Sequence, residues 1–384
     1  MKIYVLTYTN KTFFSYKKRH SGIDSAALTQ FLILRELGHD VRLFHAQGEL
    51  DQHFDDIDYY INYKVDNPKE FEKQHRTKIQ EKLLQSIVDF KPDLIISNFE
   101  FSSFYAKLMN LDIPIAYVLH AMPGFWNDLT NANLLSEMTQ LGHSFSCVSE
   151  YHKKATIKYY ASGRSDWNFD KIIPDYVFYP QYCDMEEIQY PTETVKHCSA
   201  ASKGKDTFLI HQYLDDTHYQ TEVYTTLAYL GSKAQDPYIT DSMAKYSDKT
   251  FLDVDHSEIM KQISTAGVVF VGNCPDTFTI TSLEALSRGV PLIVKEKMGG
   301  HPATEMVEPE FLKYVALIKN KKDFTEKVKE FIIVPIEERK LLAESVTRKM
   351  GKEAYKKLIT SVVDGTVSKY RNTNKQSGLE EFFL

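Results

Sequence analysis

Cysteine and long apolar runs are scarce in this chain, and each scarcity excludes a class of protein. The four cysteines stand alone, without a CxxC or Cys/His spacing; they are Cys147, Cys183, Cys198 and Cys274. This pattern argues against a structural zinc site and against a disulfide framework. No run of about 18 apolar residues indicates a membrane-spanning helix, so no membrane partner is expected. The start, MKIYVLTYTN, lacks a small-residue cleavage site and is interpreted as a first strand, which predicts a cytoplasmic protein.

Net positive charge is also absent. The formal net charge of -6 argues against a protein that coats nucleic acid indiscriminately, although a local basic patch can still bind phosphates. The composition that remains, 43% apolar and 26% charged residues, is typical of a globular protein. A chain of 384 residues is too long for one ordinary core, so we expect two domains of roughly 150 to 190 residues each.

Strand-like apolar runs alternate with helical patterns from end to end, which predicts βα units and parallel sheets. The expected fold class is therefore α/β. The first helix is predicted to start at Asp24 as N-cap and to stop at Gly38. A polar segment, YPQYCDMEEIQYPTETV, separates two series of strands. The predicted parts are a first domain over 1–190, a second over 191–336, an amphipathic helix over 337–372 and a mobile tail over 373–384.

The segment CPDTFTITSLEALSRG predicts a loop that binds a diphosphate and a sugar. Three residues would present backbone N–H groups at a helix start; they are Thr277, Phe278 and Thr279. Asp276 would hold sugar hydroxyls, and Glu284 would accept hydrogen bonds from a ribose diol. The alternative is structural, in which Thr281 and Glu284 form a capping box and Asp276 only ends a loop.

Two carboxylates separated by seven residues, here Asp276 and Glu284, resemble the acidic motif of nucleotide-sugar glycosyltransferases, with Asp where Glu is usual. Lys203 and Gly204 resemble the Lys-Gly pair of the same enzymes, although Cys198 stands where their Arg is found. The resemblance implies the GT-B architecture: two Rossmann-like domains facing a cleft, with a C-terminal helix that crosses back to the N-terminal domain. It also implies that Lys203 and Asp276 are catalytic, Lys203 by neutralising the departing diphosphate. A solvated loop lysine is the alternative.

The first half carries weaker matches to the same enzymes. In SGIDSAALTQFL, Gly22 would let the backbone approach the donor phosphates, or it is a plain turn glycine. His120, after the strand IPIAYVL, matches a catalytic His beneath the donor sugar, or it is a satisfied core histidine. The donor region has no DxD or His/Asp cluster, so we expect no metal and no cofactor besides a nucleotide-sugar donor, by resemblance a UDP-sugar.

The loop NKTFFSYKKRHSGID mixes basic and aromatic residues and is the predicted acceptor-binding segment. Its basic residues are Lys17, Lys18, Arg19 and His20. Cations for phosphates and rings for stacking suit a nucleic-acid acceptor. An anionic lipid or a polymeric phosphate would select the same residues, so this loop alone leaves the acceptor open.

The C-terminal QSGLEEFFL resembles the sliding-clamp-binding peptide called the PIP box, on four residues: Gln376, Leu379, Phe382 and Phe383. The alternative is a tail that docks on the protein's own surface. A sugar transferase with a clamp peptide resembles the T-even bacteriophage DNA glycosyltransferases, which place glucose, or in some relatives arabinose, on 5-hydroxymethylcytosine. This implies a retaining reaction on DNA, with a replicative sliding clamp as partner, in the cytoplasm of an infected bacterial host.

Three other functions fit parts of the sequence. The same fold could act on a cell-envelope polysaccharide, a teichoic acid or a lipid acceptor, which would explain the basic loop and not the clamp-like tail. Cys198, in place of a cation, suggests a non-catalytic nucleotide-sugar-binding module. A nucleotide-sugar epimerase would convert the donor without any acceptor.

Overall fold

The computed structural model describes most of the chain. The described residues are 1–7, 13–14, 22–45, 49–50, 80–98, 108–120, 128–161, 172–200, 209–214, 219–226, 245–252, 254–272, 277–296 and 300–380. The chain forms two compact units. One comprises Met1–Gln181 with Tyr355–Leu384, and the other comprises Tyr182–Ala354.

The first unit is built on a six-stranded parallel sheet. Its strands are β1 (Lys2–Thr7), β3 (Asp40–His45), β5 (Leu94–Ser97), β6 (Ile115–Leu119), β7 (Ser144–Cys147) and β8 (Tyr176–Val177). Their spatial order is β3-β1-β5-β6-β7-β8, and β2 (Phe13–Phe14) pairs with β4 (Glu49–Leu50) in a small separate sheet. The connections of this sheet reverse direction between β1 and β5, which is where ligands bind in open α/β sheets.

Helices flank this sheet. They are α1 (Gly22–Glu36), α2 (Asp128–Gln140) and α3 (Glu150–Ala161), and residues 80–90 are also helical. The predicted stop of α1 at Gly38 is confirmed, since Gly38 has a φ of 83° that favours glycine. The predicted N-cap is wrong: α1 starts at Gly22, so Asp24 is the third residue of the helix.

The core of the first unit explains the continuous apolar runs in its sequence. All residues of β5, β6 and β7 are buried, as expected for parallel strands covered on both faces. Large side chains fill the space between sheet and helices, among them Tyr4, Phe44, Phe90, Met138 and Phe145. Burying each such side chain contributes about 1.5–3 kcal/mol relative to leaving it in water.

The second unit contains another six-stranded parallel sheet. Its strands are β9 (Thr194–Ala200), β10 (Gln220–Thr226), β11 (Thr250–Leu252), β12 (Val268–Val271), β13 (Leu292–Lys295) and β14 (Val315–Ile318). The spatial order is β11-β10-β9-β12-β13-β14, which is the order of dinucleotide-binding sheets. Its helices are α4 (Leu209–Leu214), α5 (His256–Ser264), α6 (Ile280–Leu286), α7 (Lys321–Phe331) and α8 (Ile336–Met350). Short 3-10 helices span Ser247–Lys249, Pro302–Glu305 and Pro309–Tyr314.

A buried arginine connects α8 to the sheet of the second unit. Arg339 is 1% exposed, and its guanidinium donates hydrogen bonds to backbone carbonyl oxygens only. These acceptors belong to Val334, Ala266, Gly267 and Phe331, at 2.7 to 3.4 Å. Burial lowers the pKa of Arg339 to about 10, so the group stays charged at neutral pH.

The last helix, α9 (Lys352–Glu380), belongs to the first unit from Tyr355 onward, as the GT-B prediction of a returning C-terminal helix required. Lys369 Nζ donates to Asp175 Oδ1 at 2.9 Å, and Tyr370 Oη donates to Asp112 Oδ1 at 2.8 Å. Thr366 is hydrogen-bonded to Ser144 of β7. The first unit therefore includes α9 from Tyr355 onward as well as the residues up to Gln181.

The structure divides the segment predicted as one helix, 337–372, into α8 and α9 at Gly351, whose backbone is extended. Helix α9 continues to Glu380, into the segment predicted as a mobile tail. The two units separate between Gln181 and Tyr182, upstream of the predicted residue 190. Cys183 explains this position, because its backbone N–H donates to the Met350 carbonyl oxygen of the second unit at 3.0 Å.

Candidate functional site

The sheet of the second unit reverses its connections between β9 and β12. In open α/β sheets ligands bind at the carboxyl ends of the strands beside such a point. In the sequence, the two predicted donor segments come directly after these strands: residues 201–208 follow β9 and residues 273–279 follow β12. Lys203, Gly204 and Asp276 lie outside the described residues, so their placement stays a prediction.

Thr277, Phe278 and Thr279 lie directly before α6, as predicted. The first two are half-buried, and Thr279 occupies the N-cap position of this seven-residue helix without a side-chain capping bond. The Thr279 hydroxyl is instead 3.3 Å from Nε2 of buried His301. His301 Nδ1 accepts the Ala303 N–H at 3.1 Å, so the proton of a neutral ring lies on Nε2 and is donated to Thr279.

Glu284 lies inside α6 and is only 9% exposed. Its Oε1 accepts a hydrogen bond from Nε2 of His256, the first residue of α5, at 2.8 Å. The capping-box alternative is wrong, because the N-cap is Thr279 and Thr281 is the second helical residue. The hydrogen bond from His256 holds one carboxylate oxygen of Glu284 in a defined direction.

Cys198, at the position of the missing arginine, is buried within β9, and burial raises the pKa of its thiol. Lys196, two residues earlier on the same strand, does not replace that arginine. Its ammonium donates to Gln262 Oε1 at 2.7 Å and to Thr265 Oγ1 at 3.1 Å, and lies 3.6 Å from a Glu222 carboxylate oxygen. Lys196 is therefore a buried cation whose ammonium group is held by residues inside the unit.

His120 follows β6 at the carboxyl edge of the first sheet, one strand away from the reversal point between β1 and β5. Its Nε2 lies 2.9 Å from Oδ1 of Asn98, which follows the neighbouring strand β5. Burial, aided by the nearby His152, lowers the pKa of His120 to about 3, so the imidazole is neutral at physiological pH. A neutral ring fits both the predicted sugar contact and a structural histidine.

The remaining predicted residues fall partly outside the described chain. Gly22 is the first residue of α1. The acceptor segment with Lys17, Lys18, Arg19 and His20 lies outside, as do Phe382 and Phe383. Gln376 and Leu379 lie within the helical range of α9.

Within the described residues, no group of three or more His, Cys, Asp or Glu side chains could hold a metal ion. Among the helices in the described part of the chain, none is long and apolar enough to cross a membrane.

Comparisons with known proteins bear on the fold and the enzyme class. Residues 31–166 match the family described as Glycosyltransferase Family 4. Curated proteins give no match. Anabaena HepE in complex with UDP-glucose has a TM-score of 0.66 at 13% identity, covering 95% of this chain and 99% of HepE. The chain has the GT-B fold.

Two further GT-B structures extend the comparison. Sucrose-phosphate synthase from Thermosynechococcus elongatus has a TM-score of 0.66 at 14% identity, covering 99% of both chains. A TarM mutant from S. aureus, in complex with fondaparinux, α-GlcNAc-glycerol and UDP, has a TM-score of 0.65 at 9% identity, covering 96% of this chain and 99% of TarM. The predicted GT-B architecture and the predicted enzyme class, a glycosyltransferase, are confirmed.

Sequence reasoning missed the polar residues that contact the predicted site residues within each unit. His256 and His301 contact Glu284 and Thr279 from 28 and 22 residues away in the chain, and Asn98 contacts His120 from 22 residues away. One signal was present: His301 and Asn98 each follow a strand of a parallel sheet, as the predicted residues do.

Proposed function

We propose that the protein transfers a sugar from a UDP-sugar bound at the carboxyl ends of β9 and β12 to a hydroxyl group of a polymeric acceptor. One observation carries the proposal. β12, which precedes the segment predicted to bind the donor, lies at the point where the strand order reverses, and buried Glu284 on the next helix is oriented by His256.

The arrangement suggests a division of labour in the second unit. Backbone N–H groups near Thr277 and Phe278 bind the diphosphate, Glu284 accepts hydrogen bonds from the ribose hydroxyls, and Asp276 holds hydroxyls of the sugar. Lys203 neutralises the departing diphosphate, to which a fixed cation can contribute several kcal/mol. HepE and TarM, each solved with UDP or a UDP-sugar, support this choice of donor.

We propose that the reaction retains the anomeric configuration. The acceptor oxygen bonds to the anomeric carbon on the face that the diphosphate leaves, while the bond from that carbon to the phosphate oxygen breaks. The electron pair of this bond leaves with the diphosphate, and the acceptor proton passes to a phosphate oxygen. His120, a neutral imidazole, hydrogen-bonds a hydroxyl of the transferred sugar.

For the acceptor we propose 5-hydroxymethylcytosine in DNA, with a replicative sliding clamp as partner. The basic and aromatic loop with Lys17, Lys18 and Arg19 suits a nucleic acid, and the C-terminal peptide suits a clamp. A second candidate is an envelope polymer, favoured by the TarM structure, which contains α-GlcNAc-glycerol.

The experiment incubates the full chain with UDP-glucose and other UDP-sugars and with one acceptor at a time: hydroxymethylated DNA, unmodified DNA, glycerol-phosphate polymer and lipopolysaccharide. Mass spectrometry then reads each acceptor. A hexose or pentose on hydroxymethylated DNA alone supports the first acceptor, and sugar on an envelope polymer alone supports the second. Donor binding without transfer to any acceptor would indicate the non-catalytic module, and loss of donor without an acceptor product would indicate an epimerase or hydrolase.

A further inference from the structure

Two buried amides lie beside His120 in the first unit. Asn98 and Gln30 are both fully buried. Asn98 Nδ2 donates to Gln30 Oε1 at 2.7 Å, and Gln30 Nε2 donates to Asn98 Oδ1 at 3.2 Å, so the two amides form a closed pair. Asn98 Oδ1 also faces His120 Nε2 at 2.9 Å.

The backbone determines which way the Asn98 amide points. Its Nδ2 lies 3.4 Å from the carbonyl oxygen of Leu6 in β1, a group that can only accept hydrogen bonds. Its backbone N–H donates to the same oxygen at 2.9 Å. The amide nitrogen therefore lies on the Leu6 side, and the amide oxygen faces the histidine. An amide oxygen only accepts, so His120 Nε2 must carry a proton.

Burial determines the protonation state of the His120 ring. His120 is held neutral by burial, with His152 of α3 as the nearby titratable group that adds to this effect. A neutral ring with a proton on Nε2 has its lone pair on Nδ1. Gln30 on α1, Asn98 after β5 and His120 after β6 thus fix one of the two neutral tautomers.

We infer that Asn98, held by Gln30, is a positioning residue that keeps His120 in the Nε2–H tautomer, with Nδ1 as the acceptor nitrogen. The inference deepens the proposed function and rests on it only for the catalytic consequence, because the tautomer itself is a property of the free protein. In the proposed reaction, Asn98 thereby fixes the tautomer and the orientation of the ring that contacts the sugar.

The test uses the full chain with 15N in its histidine rings and reads the tautomer by NMR at neutral pH. The signals of His120 are those lost in His120→Gln. We expect a protonated Nε2 and an unprotonated Nδ1 in the natural sequence. In Asn98→Ala the two tautomers should mix, and Gln30→Leu should cause a smaller change in the same direction. Gln85→Leu, which removes an exposed amide, is the control and should change nothing.

Activity gives the second readout. Asn98→Ala should lower kcat on the order of 100-fold, the typical effect of a misplaced catalytic group, and should leave the donor KM nearly unchanged. Asn98→Asp keeps the acceptor oxygen but adds a charge that stabilises the imidazolium, so its rate should fall with decreasing pH over a range where the natural protein shows no such loss.

The outcomes distinguish the tautomer of His120 from the role of His120 in the reaction. An Nδ1–H tautomer in the natural sequence, or an unchanged tautomer in both Asn98→Ala and Gln30→Leu, would overturn the inference whatever the activity. A correct tautomer with full activity in His120→Gln would instead remove His120 from the proposed reaction. If Asn98→Ala fails to fold, Gln30→Leu and the spectrum of the natural sequence still decide.

Discussion

At the scale of single residues, the candidate donor site is a set of side chains whose own partners hold them in place. Glu284 is fixed by His256, and Thr279 is fixed by His301. A carboxylate that is oriented before the ligand arrives loses less conformational entropy on binding than a free surface glutamate. The outer histidines should therefore affect donor binding without touching the donor.

Replacing Glu284 with Ala should raise the donor KM by about 10- to 100-fold, because hydrogen bonds to a charged group contribute about 1.5–3 kcal/mol. His256→Ala should raise it less, since the carboxylate remains but is free to rotate. Steady-state kinetics with varied UDP-sugar measures both. Glu337→Ala, which removes an exposed carboxylate of α8, is the matched control. Unchanged kinetics with a lowered Tm would assign Glu284 a structural role only.

A second prediction at this scale concerns acid. His143 accepts the Ile115 N–H on Nδ1 and stacks on Tyr370 at 5.1 Å, and burial, aided by Lys369, lowers its pKa to about 4. The unfolded chain, with an ordinary histidine pKa near 6.5, therefore binds more protons than the folded chain between these values. The contribution of neutral His143 to the free energy of unfolding is fully present above about pH 6.5 and is lost as the pH falls toward 4.

The loss from His143 should be on the order of 3 kcal/mol across this range. Urea unfolding followed at several pH values measures it, with His143→Asn as the comparison. The variant should be less stable than the natural sequence at pH 7 and should lose less stability on acidification. Equal slopes in the two proteins would contradict the prediction.

At the scale of secondary-structure elements, Arg339 shows how a helix is fastened to a sheet without a carboxylate. Four backbone carbonyl oxygens accept from its guanidinium, and two of them belong to Ala266 and Gly267, just before β12. Gly289 packs on the same helix, where an added Cβ would lie 2.2 Å from the Arg339 carbonyl oxygen. These contacts position the start of β12.

Arg339→Met should destabilise the protein by on the order of 3 kcal/mol, because it leaves several buried carbonyl groups without a donor. Arg348→Met, on the exposed face of the same helix, should change stability little, since its Glu308 pair is solvated. Chemical denaturation of the two variants makes the comparison. A small effect of Arg339→Met would show that water replaces the guanidinium.

The strands and helices could be predicted largely from local sequence, whereas the contacts of the candidate site could be predicted only in part. The apolar runs LIIS and VVFV form parallel strands, as the alternation of strand-like and helical patterns predicted, and Gly38 predicted the end of α1. The contact of Glu284 with His256 could not be predicted, since no sequence period relates the two residues, and the only signal for the partner of His120 was that Asn98 follows a strand. The break at Gly351 was missed because the apolar pattern continues through it.

At the scale of the whole molecule, the proposed function predicts that the C-terminal residues bind a sliding clamp. Deleting residues 374 to 384 should leave glycosyl transfer to short DNA unchanged but abolish binding to a replicative sliding clamp, and so slow the modification of clamp-loaded DNA. Transfer assays and clamp pull-down measure the two effects, and Phe382→Ala with Phe383→Ala is the minimal variant. Lost activity on short DNA would mean that the tail packs on the enzyme itself.

The chain leaves the first unit at Gln181 and returns to it at Tyr355, with a complete second sheet between. During synthesis the ribosome therefore releases the strands of the first unit well before the helix that covers part of them. At about 5–20 residues per second, the 173 residues of the second unit take roughly 10 to 35 seconds to appear. For that interval Ser144 and Asp175 lack their partners on α9, so the first unit cannot form these contacts until α9 has been synthesised.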